Sequence, residues 1–267
     1  QVETLMTEIL KTIILGLVEG LTEFLPVSST AHLIVSENLL GIENSKFLNF
    51  FTVFVQLGAI AAVPFLYFKR LFASGLSIYY TIIASFIPAV ILGVLLDDFL
   101  EALFQGYWFI AGSWIVGGFI LIRIDAWLPS KVDSTEINAI SYLKAFKIGL
   151  FQCIAMIPGV SRSGATIVGG RVLGLSHSAA VEYSFLLGIP TILGACAKKL
   201  LDYRHDFDVL FTKEHIQFLG IGTLVSFIVA LLTIHWMVGF VKKHGFKLFG
   251  YYRIIVGLLL SVYLWMS

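Results

Sequence analysis

Two glutamates, a run of hydroxyls and a histidine stand close together early in the chain: Glu19, Glu23, the turn Pro26-Val27-Ser28-Ser29-Thr30, and His32. Glu19 and Glu23 are spaced i,i+4, which puts both carboxylates on one face of a helix. In a medium of low dielectric such a pair shares a proton or holds a cation between its members. The first suits acid–base chemistry; the second makes both residues ligands for Mg²⁺ or Ca²⁺. A structural reading pairs Glu23 with an arginine or uses it to cap a loop. The hydroxyls that follow, with the amides freed at the break and the positive end of a helix starting near Thr30, form a place for an anion. Simple capping by Ser29 or Thr30 would use the same groups. His32, three residues beyond Ser29, can share its helical face. There it can donate a proton to a leaving oxygen, take one from Ser29, attack phosphorus itself, or merely bond to backbone.

A second polar break supplies the opposite charge. In Pro158-Gly159-Val160-Ser161-Arg162-Ser163-Gly164-Ala165-Thr166, a lone arginine lies between serines and glycines inside an apolar stretch. A guanidinium binds phosphate oxygens bidentately, and glycines let backbone approach an anion. Its partner is Glu19, Glu23 or a bound phosphate. Gln56, Arg171 and Glu182 are weaker candidates, and Arg171 fits a hairpin end near the interface. The other histidines, at 177, 205, 215, 235 and 244, have no metal-ligand spacing, and no P-loop, GxSxG or HExxH motif occurs.

The elements that carry these breaks must lie in lipid. Of 267 residues, 58% are hydrophobic and 13% charged, about half the charge of an ordinary soluble domain. A net charge of +1 gives no footprint for nucleic acid. Apolar runs near 50–68, 77–96, 107–127, 181–197, 217–241 and 250–266 each approach the length of a membrane-crossing helix. Segments 5–40 and 142–176 differ: each is interrupted at its middle by one of the polar breaks, and irregular backbone at membrane depth is tolerated only where protein or a wet cavity covers it. They read as two re-entrant helix hairpins. Laid without gaps on 149–168, segment 16–35 brings Gly16, Leu17, Val27, Ser28, Ile34 and Val35 onto Gly149, Leu150, Val160, Ser161, Ile167 and Val168. The expected fold is therefore an all-α polytopic membrane protein forming one membrane domain. It is built as an inverted-topology repeat, residues 1–130 and 131–267, each half a re-entrant hairpin plus three transmembrane helices. The connectors at 69–76, 128–147 and 242–249 carry more Lys and Arg than the opposite side, where Asp97, Asp98 and Glu101 lie, and should be cytoplasmic.

Taken together, Glu19-x3-Glu23 followed by PVSSTAH at 26–32 and PGVSRSGAT at 158–166 closely resembles the bacterial undecaprenyl-diphosphate phosphatase family, known also for bacitracin resistance. The resemblance spans essentially the whole chain; Ala31 stands where many members have glycine. It implies an active site of Glu19, Glu23, Ser28, Ser29, His32, Ser161, Arg162 and Thr166, a divalent-cation requirement, and a site open to the outer face of the bacterial cytoplasmic membrane. The expected substrate is a C55-type polyprenyl diphosphate whose tail stays in membrane lipid. Arg162, Ser28, Thr30, Ser161, Ser163 and Thr166 would hold its phosphates, with Glu19 and Glu23 as cation ligands. Ser29 is the expected nucleophile, with Glu23 as base and His32 as acid; water or His32 as nucleophile stays open. A homodimer is left open as well. The rival reading is a transporter or flippase for a lipid phosphate or other anion, since broken helices in inverted repeats also mark alternating-access carriers.

Overall fold

A computed structural model of the chain describes residues 2–73, 75–96, 106–128, 137 and 140–266. Asp97, Asp98, Glu101 and Lys131, expected in connectors, lie outside the described residues. Twelve helices and no strand occur among the described residues: α1 Val2–Thr22, α2 Ser29–Leu39, α3 Lys46–Phe54, α4 Gln56–Ala73, α5 Leu76–Leu95, α6 Tyr107–Trp127, α7 Tyr142–Ile154, α8 Arg162–Val172, α9 His177–Asp202, α10 Phe207–Leu210, α11 Lys213–His244 and α12 Lys247–Met266. Six stretches are long and apolar enough to cross a membrane: Lys46–Phe72, which joins α3 to α4, then α5, α6, α9, α11 and α12. These are the six apolar runs of the sequence. Their outer surfaces expose large apolar side chains such as Phe65, Phe68, Val94, Phe119, Leu232 and Leu259. That surface suits hydrocarbon rather than water.

Both polar breaks fall between short helices. With eleven residues each, α2 and α8 reach only about 16 Å, half of the roughly 30 Å hydrocarbon core. At thirteen residues, α7 is also short. α1 is the longer arm of its hairpin, at 21 residues. Its first half includes the polar stretch in which Lys11 pairs with Glu8 at 3.0 Å. Serine and threonine side chains start several of the helices. Ser45 accepts from the Leu48 amide, Ser176 from Ala179 and Thr212 from His215, each satisfying an amide that a helix start leaves open.

Close packing fixes the direction in which the helices run. α1 lies alongside α11 in the same sense, with Gly16 against Gly222 and Gly20 against Ser226. α7 lies alongside α5 in the same way: Gly149 rests on the Ser85 carbonyl, and the Ser85 hydroxyl donates to Ala145 O at 2.6 Å. α6 and α12 run antiparallel, with Gly118 on Gly250 and Ala111 on Gly257. A side chain at Gly16, Gly20, Gly118, Gly149, Gly250 or Gly257 would meet backbone, and one at Gly222 would meet the Phe51 ring. Small residues therefore let the long helices close on the two broken segments and hold them at the centre of the protein.

Candidate active site

The two turns that break α1–α2 and α7–α8 meet at a shared cavity of about 120 Å³, far more than the ~10–15 Å³ that one water needs. Its polar lining is Glu23, Ser28, Ser29, Thr30, Gln56, Ser161, Arg162 and Thr191. Glu23 leaves the end of α1, Ser29 begins α2 and Arg162 begins α8. Among the described residues, the amides of Ser29, Thr30, Arg162 and Ser163 take no acceptor within the protein. Two helix N-termini thus converge on one polar space, each with the partial positive charge that attracts anions.

Glu23 ties the pieces together. One carboxylate oxygen accepts the Ser29 hydroxyl at 2.5 Å; the other accepts Arg162 Nη2, also at 2.5 Å. Arg162 Nη1 donates to Ser184 O at 2.8 Å. The guanidinium lies against Gly188 of α9, where a methyl group would meet it at 2.5–2.8 Å. A hydroxyl on a carboxylate that is itself oriented by a cation has the form of an activated nucleophile with its base. Glu19, one helical turn earlier, is fully buried, and neither of its oxygens has a hydrogen-bond partner among the described residues. Such a group is tolerable only with a proton or a cation on it.

The other residues singled out in the sequence divide into two groups. Ser28, Thr30, Ser161 and Gln56 line the cavity. Ser163 and Thr166 do not. Ser163 donates to Leu25 O at 2.7 Å, tying the second turn to the first, and Thr166 bonds to Arg162 O and to the Ser184 hydroxyl. His32 also lies off the cavity. Its Nδ1 bonds to Ser28 O at 2.7 Å, and a carbonyl can only accept. Nδ1 therefore carries the proton, and Nε2, 2.7 Å from the Tyr252 hydroxyl, accepts. The structure brings Ser29 to Glu23, not to His32. Arg171, in the last turn of α8, donates to Leu175 O beyond the helix and to Leu128 O after α6, and Glu182 pairs with Arg70.

Ser28 and Ser161, equivalent in the sequence repeat, share an unusual backbone. They precede α2 and α8 with φ of 74° and 78°, and no other non-glycine residue among those described has positive φ. Each such residue costs of order 1–3 kcal/mol. The Ser161 hydroxyl accepts from the Gly164 amide at 3.0 Å, which offsets part of that cost. Ser28 makes no capping bond. Ser28→Gly should therefore raise the thermal midpoint, while Ser161→Gly, which loses its cap, should gain less or fall. Thermal denaturation of the two purified variants checks the order.

Sequence reasoning passed over Arg253, Trp114, Tyr252, Ser184 and Thr191. Arg253 was the most legible of them, as a charge inside the last apolar run, where ionisable residues are expensive.

Residues 12–259 match the family model described as bacitracin resistance protein BacA. The chain is 51% identical over 251 residues to an undecaprenyl-diphosphatase of Flavobacterium psychrophilum, covering 94% of each protein. It is 49% identical over 252 residues to one of Flavobacterium johnsoniae, again covering 94% of each. With one of Aquifex aeolicus it shares 42% identity over 254 residues, 95% of this chain and 97% of that protein.

Proposed function

Because the chain belongs to the bacitracin resistance protein BacA family, we propose that it is an undecaprenyl-diphosphatase. It removes the terminal phosphate of the lipid diphosphate and leaves the lipid monophosphate for reuse as a cell-wall lipid carrier. The observation that carries this reading is the Ser29–Glu23–Arg162 chain at the mouths of two helix N-termini.

The terminal phosphate sits between Arg162 and the open amides of α2 and α8, with Thr30, Ser28, Ser161 and Gln56 around it. Glu23 takes the Ser29 proton as Ser29 Oγ bonds to the terminal phosphorus. The bond from that phosphorus to the bridging oxygen breaks, and its electron pair leaves with the lipid monophosphate. A monophosphate is a stable anion and departs without a donated proton, so His32 serves as a fixed support of the turn rather than as an acid. Once Glu23 has released that proton to solvent, it takes another from a water as the water oxygen bonds to phosphorus, and gives it to Ser29 Oγ as the bond from Oγ to phosphorus breaks, restoring the hydroxyl and freeing inorganic phosphate. Catalysis here is mostly positioning and charge stabilisation, as suits phosphoryl transfer. A divalent cation fits this donor set: the unpartnered, buried Glu19 carboxyl and Glu23 would hold it with phosphate oxygens, and it would neutralise charge on the diphosphate.

The fold belongs to the same reading. Residues 1–130 and 131–267 form two inverted repeats of one membrane domain, each a re-entrant hairpin and three spans. In support, the long arm of each hairpin packs parallel to the middle span of the other half, α1 on α11 and α7 on α5. The aligned glycines Gly16 and Gly149 lie at those contacts. The excess of Lys and Arg at the ends carrying Lys69, Arg70, Lys144, Lys147, Lys242, Lys243 and Lys247 assigns that side to the cytoplasm. The first hairpin then enters from the outer face of the cytoplasmic membrane.

Purified protein in detergent, given undecaprenyl diphosphate and Mg²⁺ or Ca²⁺, should release one inorganic phosphate per lipid and stop at the monophosphate, with chelator suppressing release. Absence of phosphate, together with movement of the intact lipid between leaflets of reconstituted vesicles, would instead mark a carrier.

A further inference from the structure

One deeply buried cation plays no part in that scheme. Arg253, on α12, is 1% exposed. Its five N–H groups meet five backbone carbonyls: Nε donates to Trp114 O, Nη1 to Pro26 O and Val160 O, and Nη2 to Ser113 O and Gly159 O. It meets no carboxylate among the described residues. The guanidinium has space because Gly117 of α6 lacks a side chain; a methyl group there would run into it.

The carbonyls come from both polar turns at once. Nη1 alone bridges Pro26 at 3.0 Å and Val160 at 2.9 Å. Ser29 follows Pro26 by three residues, and Arg162 follows Val160 by two. One nitrogen therefore sets the distance between the segment bearing the hydroxyl and the segment bearing the phosphate-binding arginine. The Trp114 indole, on the neighbouring helix, holds Val27 O at 2.9 Å, so two successive carbonyls of each break, Pro26 and Val27 in the first and Gly159 and Val160 in the second, are drawn to the α6–α12 pair. In a trans peptide the N–H points opposite the carbonyl. Holding Val160 O on the Arg253 side turns the Ser161 amide the other way, and Ser161 lines the cavity. The positive φ at Ser28 and Ser161 is the backbone form that this arrangement imposes, since strained residues persist only where surroundings over-determine them.

We propose that Arg253 is a positioning residue for phosphoryl transfer: it clamps the two turns so that Ser29 and Arg162 address the same phosphate. The inference rests on the phosphatase reading above. A lysine keeps the charge but has three donors on one atom and cannot span five carbonyls from three segments. The turns would then separate while the outer spans stay in place.

The test is turnover per folded molecule, with the folded fraction taken from monodisperse protein and its thermal midpoint. In Arg253→Lys, kcat with undecaprenyl diphosphate should fall by about 100-fold, the effect of a misplacement near 1 Å, while KM stays within about threefold. Gly117→Ala, which leaves Arg253 in the chain but displaces its guanidinium, should show the same split. The double variant should be no slower than Arg253→Lys alone, because both act on one clamp. Normal turnover per folded molecule in either single variant, with only the thermal midpoint lowered, would overturn the clamp's role in the reaction. Failure to recover either variant folded would also overturn it, leaving Arg253 as a folding determinant only. If the unaltered protein releases no phosphate, the functional reading fails instead, and the two failures are distinct.

Discussion

Arg162→Ala should reduce phosphate release by at least about a thousand-fold, the scale of removing a charged group that meets developing charge. Two losses combine in it. The terminal phosphate loses the only side-chain cation on the described cavity wall. Glu23, which holds both Arg162 and Ser29, loses its counter-charge while buried and with it the contact that orients it toward Ser29. Arg162→Lys should recover little. The native group reaches Glu23 with one nitrogen and Ser184 O with another, a fork that an ammonium lacks. Single-turnover release by monodisperse protein is the measurement; a rate within tenfold of the parent would remove Arg162 from the reaction.

Glu23→Gln should have an effect of similar size. The amide keeps the volume of the carboxylate, so the turn stays filled, but it cannot accept the Ser29 proton and leaves Arg162 without its anion. Ser29→Ala should be comparably slow. Residues that act as one unit are strongly non-additive, so the double variant Glu23→Gln with Ser29→Ala should be no slower than the slower single. Multiplied effects would mean that the two residues act in separate steps and that Ser29 is not the nucleophile. Acid quench during turnover adds a direct check, since the proposed route passes through a phosphoserine at position 29 and attack by water does not.

Residues that broke an otherwise apolar pattern were legible in the sequence. Glu23, the Ser28–Thr30 turn and Arg162 stood out because lipid-buried segments rarely carry such groups. The six spans stood out for the opposite reason. The geometry that joins these pieces left weaker traces. The acceptors for Arg253 are backbone carbonyls up to 227 residues away, and a carbonyl has no letter in a sequence. Helix-face arithmetic related Ser29 to His32, but could not see that Ser28 O and Tyr252 occupy both ring nitrogens. Ser163 and Thr166 carry the right chemistry for phosphate, yet their hydroxyls bond within the protein.

Glycine has a double meaning in this protein, with a practical consequence for anyone wishing to make it sturdier. Exchanging a helix-interior glycine for alanine ordinarily gains up to about 1 kcal/mol. Gly112, Gly220 and Gly239 face open space, where a methyl group meets nothing, and suit that strategy. Gly117 and Gly188 sit in the same kind of helix but are sockets, each shaped around a guanidinium from another segment. A campaign guided by helix propensity alone would treat all five alike, and at those two it would harden the scaffold while evicting the cations on which the chemistry depends.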